Sequence, residues 1–98
     1  MHVINSDPTS ENLLFLEEGA PAVETFDPSR HPAVLSTVDL VILLDNSAPD
    51  RLGPMEGVMR DVADRVLCID HHPTRETPWA HEILDDSECA TACIVYDL

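Results

Sequence analysis

Two short apolar runs in this chain each stop at a carboxylate, and that shared punctuation limits the folds open to it. Leu40-Val41-Ile42-Leu43-Leu44 ends at Asp45, and Val66-Leu67-Cys68-Ile69 ends at Asp70, which His71 and His72 follow directly. A near-continuous apolar run of strand length is the pattern of a strand covered on both faces, as in a parallel sheet flanked by helices. A helical pattern separates the two runs. Pro54 suits a first helical turn, and Met55, Val58, Met59, Val62 and Val66 then fall on one stripe, leaving Glu56, Arg60, Asp61 and Asp64 for solvent. That stripe reads as core rather than as a Met-lined groove.

The remaining segments extend the alternation. Met1 to Asn5 reads as the end of a strand. Thr9 and Ser10 offer N-caps for a helix over Glu11–Glu18 that Gly19 would stop. Ala22 to Phe26 reads as a short edge strand, and Pro28 and Pro32 bracket a loop carrying Arg30 and His31. Asn46-Ser47-Ala48-Pro49 is a turn cluster, Pro73 to Pro78 a polar loop, and His81 to Leu84 a short strand. Asp85-Asp86-Ser87 supplies cap candidates for a final helix over Glu88–Tyr96, apolar nearly all round and so expected to be buried. The order predicts one α/β domain, a mainly parallel sheet flanked by helices. Right-handed crossovers would place Asp45 and Asp70 at the same sheet edge, where open α/β sheets bind ligands.

Charge narrows the function. An apolar fraction of 44% argues against disorder. Nineteen acids face five bases, all Arg, for a formal net charge of −14. Such a surface repels duplex nucleic acid, and a phosphate-bearing substrate would have to be drawn in by bound divalent cations. Solubility, including in a salt-rich cytoplasm, is the other account of the acidity. The absence of Lys also argues against a phospho-acceptor signalling domain, which would need one at the same edge. No stretch approaches the roughly 18 apolar residues that cross a bilayer, so no membrane partner is expected. The N-terminus lacks the basic start and long apolar region of a secretory signal, and a cytoplasmic protein is expected.

Asp45, Asp70, His71 and His72 are the candidate site. Carboxylate oxygens with imidazole nitrogens suit Mn²⁺, Fe²⁺ or Zn²⁺, and a carboxylate-rich set leans towards Mn²⁺ or Mg²⁺. A carboxylate can bridge two metals about 3.5–4 Å apart, a spacing that clamps a phosphoryl group. Adjacent His residues on an extended segment would point to opposite sides. On a turn, one can ligate while the other reaches substrate. Each residue alone has a plain alternative, Asp45 as a turn or cap residue and the His pair as solvent-facing. His2, His31 and His81 read as surface or loop residues. Arg51 and Arg75 lie near the proposed edge, where they would bind phosphate or pair with surface acids. Cys68 reads as a buried small hydrophobe; Cys89 and Cys93, four apart, would share a helix face in the core, since zinc would need two further ligands.

Val66-Leu67-Cys68-Ile69-Asp70-His71-His72 resembles the signature of the DHH phosphoesterase family. Val38 to Ser47, with Asp45 placed 25 residues before Asp70, resembles the family's second motif. Thr91 within Glu88-Cys89-Ala90-Thr91-Ala92 resembles the small-residue and Thr helix start that follows. Within the family the chain is most similar to the nanoRNase and 3′-phosphoadenosine 5′-phosphate phosphatase group. The resemblance implies that Asp45 bridges two Mn²⁺ ions, with Mg²⁺ the alternative, and that His71 ligates one of them. It further implies that His72 contacts the scissile phosphate, while Asp70 orients the imidazoles or supports the metal shell. The substrate would be a short oligonucleotide or a nucleotide phosphate.

Residues 1–98 would be a partial domain on this resemblance, because the family's first motif, its fourth motif and its C-terminal substrate domain have no counterpart here. The expectation is a phosphoesterase piece, inactive alone for want of half its metal ligands. The alternatives are a non-catalytic metal- or nucleotide-binding module and a subunit completed by another chain, with a homo-oligomer open.

Overall fold

The computed structural model describes residues 1–19, 22–73 and 76–98. In chain order the elements are β1 (Val3–Asn5), β2 (Val23–Thr25), α1 (His31–Thr37), β3 (Val41–Leu44), α2 (Glu56–Asp61), β4 (Val66–Asp70), β5 (His81–Leu84) and α3 (Thr91–Asp97). Short 3-10 segments lie at Glu11–Glu17, Pro49–Arg51, Gly53–Met55 and Ala63–Arg65. All strand pairs are parallel, and they form two sheets, β1–β2 and β3–β4–β5. The architecture is therefore α/β with parallel sheets flanked by helices, as the alternating pattern predicts.

Register places the site. Leu44 pairs with Ile69 and Asp70 with Leu84, so β3 and β4 end side by side. The Asp45 N–H donates to Ile69 O at 2.9 Å and the Asp85 N–H to Asp70 O at 3.1 Å, extending the ladders to the edge itself. The core fills one face of this sheet: Leu35, Leu52, Met59, Val62, Val66, Cys68 and Trp79 are buried together, with Val41 and Leu43 packed against them. Met59 of α2 and its C-cap Val62 lie in this core as the stripe predicts, whereas the helix ends at Asp61 and Val66 reaches the core as the first residue of β4. On the opposite face α3 buries Ile94, and Ile69 of β4 is buried too, but Ile42 and Leu44 remain about half exposed. The run Leu40–Leu44 is thus apolar on both faces yet covered on only one.

Several local expectations differ. The segment after Ser10 forms a 3-10 helix rather than an α-helix, with no side-chain cap and with Leu13, Leu14, Phe15 and Leu16 exposed. Gly19 nonetheless follows it in the left-handed conformation that suits a helix stop, at φ 74°. The bracketed loop at Pro28–Pro32 is instead the entry to α1, with Pro32 in its first turn. His31 is not a surface residue: it is fully buried, its Nδ1 accepts the Asp27 N–H at 2.7 Å, and its Nε2 lies 3.1 Å from Glu24 Oε2. Asp85 caps a turn, accepting the Ser87 N–H at 3.0 Å, and α3 starts later, at Thr91. Nor is α3 buried all round, since Val95 and Tyr96 are exposed. Cys89 and Cys93 do not pack in the core; Cys89 is exposed and Cys93 half-buried, whereas Cys68 is fully buried. No described helix is long and apolar enough to cross a membrane.

Candidate metal centre

Asp45 stands at the end of β3 with φ 63°, a left-handed conformation open chiefly to Gly, Asn and Asp. It is exposed, and its carboxylate is the point on which the site converges. His71 Nε2 lies 3.5 Å from Asp45 Oδ1 and His72 Nδ1 lies 4.0 Å from it. Thr91 Oγ1 donates to the same oxygen at 2.7 Å. One ligand atom from each of Asp45, His71 and His72 falls within 4.8 Å of the others, the one cluster of three such groups among the described residues.

Each imidazole is held from behind. The Glu88 carbonyl lies 3.3 Å from His71 Nδ1; a proton on Nδ1 satisfies it and leaves the Nε2 lone pair facing Asp45. His72 Nδ1 lies 2.6 Å from Asp70 Oδ1, so the same logic assigns the proton to Nδ1 and leaves Nε2 outward. The strand ends at Asp70, and the turn that follows sets the two rings 4.3 Å apart and tilted by 50°. The expectation that neighbouring His side chains diverge holds for extended backbone and does not apply to this turn.

Asp70 is almost wholly buried, and its position explains the rest of the site. Burial alone would raise its pKa, but hydrogen bonds from His72, and from the Ser47 N–H at 2.9 Å, outweigh it and hold the carboxyl at about 2. It therefore stays ionised and orients His72 without joining the three-ligand cluster. Ser47 is fixed in turn by Trp79, whose indole N–H donates to Ser47 O at 2.8 Å. Ser47, Glu88 and Trp79 were not legible as site residues. Two act through backbone groups, which leave no side-chain signature, and Trp79 acts from an isolated position after a polar loop. Arg51 is exposed on its 3-10 turn, and Arg75 lies outside the described residues.

The donor set fits a divalent cation. Two bonds of about 2.1 Å place neighbouring ligand atoms about 3.0 Å apart in an octahedral shell and about 3.4 Å apart in a tetrahedral one, and Asp45 Oδ1 and His71 Nε2 are 3.5 Å apart. Beside the cluster lies a cleft of ≈ 650 Å³ lined by Leu44, Ala90, Ala92, Val95 and Tyr96 together with Asp45, His71 and Thr91.

No family model matches the sequence, and no curated protein matches it. The fold is similar to the crystal structure of an exopolyphosphatase-related protein from Bacteroides fragilis, with a TM-score of 0.85 and 18% sequence identity. The match covers 98% of this chain and 28% of that one, so the chain spans less than a third of the length of its structural neighbour. At this identity the likeness is one of fold.

Proposed function

We propose that this chain is the cation-binding part of a phosphoesterase that hydrolyses short oligonucleotides or nucleotide phosphates, as the resemblance to the DHH family suggests. The observation that carries the proposal is the convergence of Asp45, His71 and His72 at one sheet edge, with both imidazoles oriented from behind. Asp45 and His71 would hold the cation, Mn²⁺ before Mg²⁺ because an imidazole nitrogen joins the carboxylate. In its imidazolium form His72 would donate its Nε2–H to a phosphate oxygen while its Nδ1–H stays on the Asp70 carboxylate. Thr91 restrains Asp45. A bound cation supplies Lewis-acid charge that polarises the phosphoryl group. The name of the structural neighbour agrees with phosphorus chemistry, while the apolar lining of the cleft favours a flat base beside the phosphate over a bare polyphosphate chain.

One carboxylate and one imidazole hold a single cation, with His72 beside it. A two-cation reaction needs carboxylates beyond this cluster, so the 98-residue chain alone is expected to bind Mn²⁺ and to be inactive. The same ligand count supports a second reading, a metal- or nucleotide-binding module completed by another chain. Calorimetric titration with Mn²⁺ should give one site that Asp45→Asn and His71→Ala each remove. Equal binding by either variant would refute the site, and tight nucleotide binding without hydrolysis would favour the module.

A further inference from the structure

We propose that Cys89 and Cys93 form a thiol-modification site, a dithiol that closes to a disulfide by exchange with a low-molecular-weight disulfide and thereby loosens the groups that restrain Asp45 and His71. Its consequence for cation binding rests on the metal reading above; the disulfide chemistry does not.

The two sulfurs lie 3.6 Å apart, one exposed and one half-buried, both as free thiols. A disulfide needs about 2.05 Å, so the sulfurs must approach by roughly 1.5 Å. Cys89 lies before α3 and Cys93 inside its first turn, with Ala90 fully extended between them at φ −159°. The segment they would close therefore holds Thr91, whose hydroxyl bonds Asp45, and abuts Glu88, whose carbonyl faces His71. A pull on this segment reaches both residues directly. Among the described residues no third ligand group joins the two sulfurs, which favours a disulfide over a chelated soft metal. Cys68 cannot compete, because it is fully buried and out of reach of a disulfide in solution.

The exchange balances. The Cys89 thiolate attacks RSSR, forming Cys89–S–SR and releasing one RS⁻. The Cys93 thiolate then attacks the Cys89 sulfur and expels the second RS⁻. Two protein thiols are oxidised to one disulfide, RSSR is reduced to two RSH, and the two thiol protons end on the released thiols. So short a ring is readily reduced again.

The test treats the full chain with glutathione disulfide. Intact mass should fall by about 2 Da with one alkylatable Cys left after unfolding. The imidazole resonances of His71 and the amide of Thr91 should shift, Mn²⁺ affinity should drop roughly tenfold, and dithiothreitol should reverse all three. The double variant Cys89→Ser/Cys93→Ser should bind Mn²⁺ like the reduced protein and ignore glutathione disulfide, whereas Cys93→Ser alone should stop at the mixed disulfide on Cys89. Stable glutathione adducts or cross-linked dimers without the mass loss would overturn the proposal, as would an oxidised protein whose His71 and Thr91 signals match the reduced form. If reduced protein binds no Mn²⁺, the metal reading fails, and the mass and resonance measurements still decide the dithiol.

Discussion

Asp45 combines two demands in one residue: a backbone in left-handed space and a carboxylate shared by His71 and Thr91. The demands separate by substitution. Asp45→Asn tolerates the same φ and keeps an oxygen for Thr91, so thermal unfolding should stay within about 2 °C while Mn²⁺ affinity falls more than tenfold. Asp45→Ala lacks both compensations and should lose about 1–2 kcal/mol of stability. Equal unfolding of the two variants would show that φ at this position carries no strain. Asp70 yields a pH prediction of definite sign. Its folded pKa of about 2 lies below the unfolded value, so its stabilisation is complete above about pH 4 and disappears as pH falls towards 2. The amount is about 2 kcal/mol. Denaturant titrations of metal-free protein should therefore show wild type well above Asp70→Asn at pH 6, the gap narrowing between pH 4 and pH 2. A constant gap would mean that the lost packing, not the charge, sets the difference.

Elements were legible where a pattern had one physical cause. The apolar runs before Asp45 and Asp70 form β3 and β4, and Met59 and Val62 of the helical stripe lie in the core, because burial alone dictates those patterns; Val66, at the end of that stripe, opens β4 instead. Segments with competing signals depart from their sequence pattern. Pro32 looked like a loop marker, although a Pro at the first turn is equally a helix start, and burial of His31 depends on Glu24 and the Asp27 backbone, neither adjacent in sequence. The apolar segment Leu13–Leu16 has helical composition yet stays about half exposed, and with so little burial to stabilise it the segment forms a 3-10 helix. Contacts between elements left least trace, and Trp79 is the clearest case. It ties the start of β5 to the turn after β3 through Ser47, which in turn donates to Asp70. Trp79→Phe keeps most of the apolar volume but drops the indole bond, leaving Ser47 O unpaired in a buried place. A loss of about 1–3 kcal/mol in urea unfolding is expected, with a several-fold fall in Mn²⁺ affinity as Asp70 and His72 loosen. Unfolding unchanged from wild type would remove Trp79 from the site's support.

At the scale of the whole molecule, a one-sided core and a strongly negative surface act together. The Cα radius of gyration, 13.8 Å, slightly exceeds the roughly 12.6 Å of a compact chain this long, in keeping with a sheet whose β3 is covered on one face only. Over so small a body, nineteen acids against five Arg create a field that extends well past any single carboxylate. At low salt that field reaches about 30 Å and concentrates divalent cations around the protein; at physiological salt it is cut to about 8 Å. The local ligands Asp45 and His71 feel no such screening at 3.5 Å. The two contributions therefore separate in one experiment. Between 10 and 150 mM NaCl the Mn²⁺ affinity of wild type should fall about tenfold, while the ratio of wild-type to Asp45→Asn affinity stays nearly constant. A ratio that collapses with salt would mean that cations collect on the acidic surface at large, and Asp45 would lose its claim to be a ligand.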